Sequence, residues 1–358
     1  MTGSNIRTLD LCFTKAPMYS MMRICIFFLV LMVGVKFGLS QENQTRKIEK
    51  MNGMSMVSIN GEIDSTNVAP LKELNVNWAA TIPFAFMPSH TSPELSFDLD
   101  WQWKGERIEG TRNYIRELHA QNIAVMVKPQ IWIGHGTYTG KILMNSEDDW
   151  LVLEENYSKY ILAFAELAQE ENVEMLCIGT ELKHFVEERS EFWVGLITEL
   201  REIYSGKLTY AANWDDYSNV PFWSDVDYIG VDAYFPIVKN ETSSLSKLEA
   251  GWKSHKAKMD TISEHFGRPI VFTEYGYRSV SNCAVKPWDY SEEGEQDEKA
   301  QQIALKALYN VFWEDENYIG GFLWKWYPNH QDAGGPKNKM FTVQNKQAEK
   351  TVKEVYSM

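Results

Sequence analysis

The chain has 358 residues, with 35 Lys+Arg against 49 Asp+Glu, 44% hydrophobic and 13% aromatic residues and a mean hydropathy of −0.35. That balance excludes a disordered or collagen-like chain, and the absence of any clustered Lys/Arg block excludes nucleic acid as a partner. Its four Cys form no CxxC and its seven His form neither HxH nor HExxH, so no catalytic metal and no cofactor are expected.

In chain order, residues 24–35 are uncharged and apolar, follow Arg23 and precede Gly38-Leu39-Ser40-Gln41, a small-x-small site. This is the pattern of a signal peptide, about residues 22–40, and predicts a secreted or periplasmic protein. The apolar stretch is too short for a comfortable span, so no membrane span is expected after cleavage. Residues 1–40 are therefore set aside as an N-terminal extension and signal peptide, 41–52 as a short leader, and 53–358 as one folded domain. Removing 1–40 takes away four basic side chains and one acidic one, leaving 31 against 48 and a net charge of −17. Only Cys177 and Cys283 remain, which excludes a disulfide framework.

From residue 53 onward, short apolar runs alternate with segments of helical period. The predicted strands are 55–59, 75–82, 123–130, 174–180, 208–213, 228–233, 270–274 and 321–326. Between them lie amphipathic stretches, clearest in Trp193, Leu196, Ile197, Leu200, Ile203 and Tyr204, which fall on one helical stripe. Further helices are predicted around 67–74, 108–118, 157–167, 300–311 and 346–356, with only a vestige near 221–224. Eight strand–helix pairs predict an α/β fold, a single (β/α)8 TIM barrel. The competing doubly wound open sheet would carry a glycine-rich phosphate loop after its first strand; this chain has Asn60-Gly61-Glu62-Ile63-Asp64 there.

A barrel of this kind does its chemistry at the carboxyl ends of the strands. The residues where each apolar run turns polar are Trp78 and Thr81; Lys128, Gln130 and Trp132; Thr180 and Glu181; Asn213, Trp214 and Asp215; Asp232 and Tyr234; Glu274 and Tyr275; Trp324 and Trp326. Strand alternation puts Cys177, Gly179 and Glu181 on one face, Ile270, Phe272 and Glu274 on one face, and Phe322, Trp324 and Trp326 on one face. Without bulges, Glu181 and Glu274 can then share a lumen.

Two carboxylic acids facing one cleft walled by indoles suit the cleavage of a glycosidic bond: one donates a proton to the leaving oxygen, the other attacks or activates water. Trp and Tyr supply flat faces for the C–H side of a sugar ring and polar edges for its hydroxyls. A single Glu at a strand end is more often a solvated residue or a helix cap; the pair, each without turn residues around it, carries the reading. Trp101 and Trp103 suit a hydrophobic rim lid equally well, and His135 either contacts a sugar or orders its loop.

Ile-Gly-Thr-Glu-Leu at 178–182, Ala-Asn-Trp-Asp at 212–215, Tyr-Ile-Gly-Val-Asp-Ala-Tyr-Phe-Pro at 228–236, Thr-Glu-Tyr-Gly-Tyr at 273–277 and Lys-Trp-Tyr-Pro at 325–328 together resemble glycoside hydrolase family 113. The resemblance implies a retaining (β/α)8 glycosidase acting on β-1,4-mannan. It implies Glu181 as acid/base after strand four, Glu274 as nucleophile after strand seven, and Tyr234 as a hydroxyl that hydrogen-bonds the nucleophile. The wider clan has Asn directly before the acid/base, where this chain has Thr180, so the sugar contact that Asn makes is lost or passes to a group such as Asn213. The clan's Arg near the nucleophile is also absent, and Lys128 is the candidate to supply its charge.

The expected substrate-binding residues are thus Trp78, Lys128, Trp132, His135, Asn213, Trp214, Asp232, Tyr234, Tyr275, Trp324 and Trp326, and the expected partner is a neutral β-linked polysaccharide or oligosaccharide. Alternatives are the same machinery on glucan, xylan or β-mannosides, a non-catalytic glycan-binding barrel, and a phosphosugar enzyme suggested by Asp332-Ala-Gly-Gly-Pro. The net charge disfavours the last.

Overall fold

The computed structural model describes residues 49–240, 244–290 and 294–358. The expected extension and signal peptide at 1–40 lie outside them, as does most of the expected leader. Eight parallel strands close a barrel: β1 (Met51–Met56), β2 (Trp78–Thr81), β4 (Ala124–Val127), β6 (Met175–Thr180), β7 (Lys207–Asn213), β8 (Tyr228–Asp232), β9 (Ile270–Tyr275) and β10 (Tyr318–Trp326), with β10 returning to pair with β1. The helices are α1 (Ser65–Glu73), α2 (Ile108–Ala120), α3 (Glu147–Glu170), α4 (Lys183–Glu188), α5 (Ser190–Ile203), α6 (Leu245–Phe266), α7 (Glu298–Phe312) and α8 (Gln347–Tyr356). The α/β (β/α)8 architecture is therefore present. The fifth crossover is reduced to a 3₁₀ turn, Tyr217–Asn219. Among the described residues, no helix is long and apolar enough to cross a membrane.

Local chemistry accounts for the element ends. Ser146 caps α3 by accepting from the Asp149 amide, and Glu147, Asp148 and Asp149 occupy its first turn, where the helix dipole favours negative charge. The unforeseen α6 has a sparse apolar stripe of Leu248, Trp252 and Met259 among charged residues, which hides its period. The barrel starts at Met51, so the expected leader at 41–52 gives up its last two residues to β1. Gly53 reads as a breaker in sequence. In the fold it is a close-packing position, because a Cβ there would lie 2.7 Å from both the Gly321 carbonyl oxygen and Phe322.

Two further strands, β3 (Phe84–Met87) and β5 (Gln130–Ile133), pair in parallel outside the barrel. They continue β2 and β4 beyond Pro83 and Pro129, which lack the N–H the barrel ladder needs, so each strand leaves the barrel at its proline and re-pairs on the rim. The predicted strand 123–130 thus divides at Pro129.

The barrel lumen is filled by inward side chains including Met51, Ala80, Met126, Met175, Cys177, Ala211, Val271 and Phe322, while a larger apolar layer lies between strands and helices. Gly230 on β8 shows how tight this is: a Cβ would sit 2.1 Å from the Tyr210 carbonyl oxygen. Gly230→Ala is expected to lower stability by about 1–3 kcal/mol through overpacking. Gly195→Ala, in α5 with open space around the new methyl, is expected to raise it by up to about 1 kcal/mol. Urea denaturation of the two variants beside the parent checks the contrast.

Candidate active site

The floor of the site is a buried charge cluster at the carboxyl mouth of the lumen. Lys128, just past β4, is fully buried and donates from Nζ to Asp232 at 3.1 Å and to Glu274 Oε1 at 2.5 Å. Gln130 donates to the same Glu274 oxygen at 2.9 Å, and Tyr234 Oη donates to Oε2 at 2.9 Å. Asp232 also accepts from Thr273 Oγ1 at 2.7 Å. Glu274 therefore has donors on both oxygens. Burial alone would lower the Lys128 ammonium, but Asp232 and Glu274 carry it above its ordinary range. Burial, then the neighbouring Glu274 charge, pushes Asp232 up to about 7 against the pull of Lys128.

Simple alternation does not deliver Glu274 to this cluster. Ile270 and Phe272 belong to the strand–helix layer and Val271 to the lumen, so an unbroken strand would point Glu274 at the helices. The register between β8 and β9 shifts there, with Val231 opposite Phe272 but Asp232 opposite Glu274, leaving Thr273 as the extra residue. Thr273 and Glu274 both reach the site, and the next residue faces out. Strand β6 shifts likewise between Cys177 and Thr180. Cys177 faces the lumen, whereas Ile178 lies in the outer layer and a Cβ on Gly179 would meet Tyr157 and Trp193 in that layer. The expected faces Cys177/Gly179/Glu181 and Ile270/Phe272/Glu274 are thus both corrected: on β9 the bulge, a device that re-aims side chains at active sites, brings Glu274 into the cleft, while on β6 the bulge turns Thr180 inward and Glu181 follows on a separate backbone turn.

Glu181 follows β6 with φ +53°, in the left-handed region that non-glycine residues seldom adopt. Its amide donates to Ala211 and its carbonyl accepts from Thr139 Oγ1, fixing the turn. Its carboxyl lines the cavity but is deeply surrounded by protein. Burial first, then the charges of Asp232 and Glu274, push it well above the usual carboxylate range, and Lys128 only partly opposes them.

Above this floor is a cavity of about 630 Å³ lined by Glu181, Glu274, Asp232, Gln130, Thr180 and a ring of aromatic residues. Trp214 stacks on Trp288 at 4.8 Å and 20°, and Trp324 Nε1 donates to Tyr290 Oη at 2.9 Å. Asn213 donates to Tyr138 Oη at 2.9 Å, and its own Oδ1 accepts from the Trp214 amide. The structure brings Glu181, Glu274, Lys128, Asp232, Tyr234, Asn213, Trp214 and Trp324 to one site.

Five expected site residues lie elsewhere. Trp78 is the first residue of β2, at its amino end, and packs edge-on against Phe322 at 6.2 Å under the lumen. Tyr275 is fully buried among helices, its hydroxyl paired with those of Tyr309 and Tyr356, because the residue after the bulged Glu274 turns outward. Trp326 is also fully buried in the outer layer. The β1–β10 register shifts after Ser55, which pairs with Trp324, so Met56 meets Trp326 and the shared face with Trp324 is lost. Trp132 and His135 are exposed on the rim and do not line the cavity. Tyr138, Trp288 and Tyr290, which do line it, were missed because they sit in loops with no period. The available signal was the length of the aromatic-bearing loop 276–297 after β9, since loops at the carboxyl face of a barrel carry function.

The chain matches Glycoside Hydrolase Family 113 over residues 58–346. Similar solved structures include the GH113 β-mannanase AaManA from Alicyclobacillus acidocaldarius in complex with ManMIm, at 22% identity and TM-score 0.75, covering 86% of this chain and 97% of that one. A GH113 β-1,4-mannanase structure gives 22% identity and TM-score 0.75 over 86% and 99% of the two chains. A β-glucuronidase from Ruminococcus gnavus gives 12% identity and TM-score 0.59 over 86% of this chain and 50% of that one. No curated protein matches the chain.

Removing the cation from the floor would leave two buried carboxylates facing each other. Lys128→Met is expected to cost about 3–5 kcal/mol near neutral pH. With Lys128 in place Asp232 is already pushed up to about 7; losing the opposing ammonium pushes it higher still, so the variant gains more from acidification than the parent does. The deficit should accordingly shrink from about pH 7.5 to about pH 5, measured by urea titration at both.

Proposed function

Since the chain belongs to glycoside hydrolase family 113 and is a glycoside hydrolase, we propose that it cleaves β-1,4-mannosidic bonds in mannan or manno-oligosaccharides by double displacement. Glu274 is the nucleophile and Glu181 the acid/base. The observation that carries the assignment is the asymmetry of the two carboxyls. Glu274 is held by Lys128, Gln130 and Tyr234, all donors. Among the described residues no such donor reaches the Glu181 carboxyl, which is pushed up by burial and by the carboxylates beneath it.

The chemistry follows from that asymmetry. Protonated Glu181 donates to the glycosidic oxygen while Glu274 attacks the anomeric carbon. Once Glu274 is esterified its negative charge is gone, one of the influences raising Glu181 vanishes, and Glu181 falls toward the range where it takes a proton from water. Water then attacks the same carbon, and configuration is retained. Tyr234 and Lys128 hold the carboxylate in place and reclaim it as the leaving group. Trp324, Trp214 and Trp288 supply apolar faces for the sugar rings. Mannan as the glycan is supported by the mannanases among the similar structures. Residues 22–40 support export to a secreted or periplasmic location, and the net charge of −17 suits a neutral glycan.

Release of short manno-oligosaccharides from β-1,4-mannohexaose, with gluco- and xylohexaose uncut, is the expected product profile; cleavage only of either of the others would reassign the sugar. Glu181→Gln is expected to lose about 10²–10⁴-fold in rate with little loss of stability. Asp232→Asn removes a charge that raises Glu181, so the alkaline limb of kcat/KM should move to lower pH. An unmoved limb would detach Asp232 from the acid.

A further inference from the structure

The rim sheet extends the cleft. Within β3 and β5, Ala85, Met87, Ile131 and Ile133 are buried against the outer apolar layer, and Phe84, Phe86, Gln130 and Trp132 occupy the opposite face, with Phe84 beside Gln130 and Phe86 beside Trp132. The inner pair belongs to the catalytic site: Gln130 holds Glu274, and Phe84 packs on the apolar cluster of Tyr234 and Trp324. The outer pair stands two residues further along the same strands, roughly 7 Å away, about the length of one sugar ring.

That outer position is aromatic and open to solvent. Trp132 is 52% exposed and Trp101 61% exposed, and Trp101 meets Phe86 at 4.6 Å and 67°. Trp101 is not on a loose loop. Gln102, almost wholly buried, donates to the Phe84 carbonyl and accepts from the Leu99 amide. Asp98 accepts from the Ile108 amide, Arg107 pairs with Asp98 and Asp100, and Ser96 exchanges two hydrogen bonds with Phe86. Exposed indoles held this firmly are preformed surfaces, whereas a lid would need freedom to close.

Resting on the glycosidase reading above, we propose that Phe86, Trp101 and Trp132 form a distal sugar-binding subsite for the same β-1,4-linked chain that enters the catalytic cleft. Continuity selects this occupant, since the subsite lies on the same sheet face as the group that holds the nucleophile. Its chemistry agrees, because uncharged aromatic faces suit the C–H faces of neutral sugar rings. The subsite leaves the reacting bond untouched and favours longer chains.

The test is kcat/KM of the full chain, Trp101→Ala, Trp132→Ala and Trp132→Phe across β-1,4-manno-oligosaccharides from the shortest one cleaved to the hexaose, with the gluco and xylo series in parallel. The alanine variants are expected to lose about tenfold on the hexaose, mainly through KM, and almost nothing on the shortest substrate. Trp132→Phe should recover most of that loss. Thermal unfolding of each variant reports any effect on folding. An equal loss, or none, at every chain length would overturn the subsite while leaving the catalytic reading intact. Failure of the unaltered protein to cleave any series would overturn the reading and the subsite with it.

Discussion

The site depends on one buried lysine shared by two carboxylates. An isolated ammonium or carboxylate at the mouth of the lumen would be prohibitively costly, and only as a hydrogen-bonded set are Lys128, Asp232 and Glu274 tolerable there. The retaining hydrolysis proposed above makes opposed demands on such a floor. The nucleophile needs donors, and the acid needs negative surroundings. Lys128 meets the first by bonding Glu274, and Asp232 and Glu274 together raise Glu181 by more than Lys128 opposes. Asp232 thereby acquires a purpose beyond pairing with the lysine: it preserves the net push on Glu181 that a simple Lys–Glu pair would cancel.

Geometry for this balance comes from departures from regularity. β6 and β9 each spend one extra residue just before the mouth: the bulge in β9 turns Glu274 inward, and in β6 the bulge turns Thr180 inward and is followed by the left-handed turn at Glu181, whose carboxyl reaches the cavity. Two prolines do the equivalent for β2 and β4, releasing both strands onto the rim, where Gln130 reaches back to Glu274 and the outer aromatics face solvent. The regular parts of the strands, packed around Met126, Met175 and Phe322, form the rigid base against which those irregular ends are held.

This division explains what was legible in the chain. The strands announced themselves as apolar runs because both their faces are buried, and the strand count led directly to the barrel. Polar residues interrupting those runs led to Glu181, Glu274, Lys128 and Asp232. Phase was not legible, because a bulge is one residue of register with no compositional mark. The correct placing of both Glu residues rested on an alternation that fails at each, and the same assumption misassigned Tyr275 and Trp326. Trp78 misled for a different reason: the predicted strand 75–82 began three residues before β2, so the first residue of β2 sat in the middle of the predicted run. Tyr138, Trp288 and Tyr290 belong to loops, where an aromatic side chain carries no period.

The central claim is that Glu274 becomes covalently glycosylated while Glu181 serves both half-reactions. The most direct measurement is to treat the protein with an activated 2-deoxy-2-fluoro-β-mannosyl donor, digest it and locate the added sugar by mass spectrometry. The account predicts one sugar per chain, on the peptide carrying Thr273-Glu274-Tyr275 and on Glu274 itself. A label on Glu181, or rapid turnover of a natural substrate with inversion at the anomeric carbon and no labelled peptide, would contradict it.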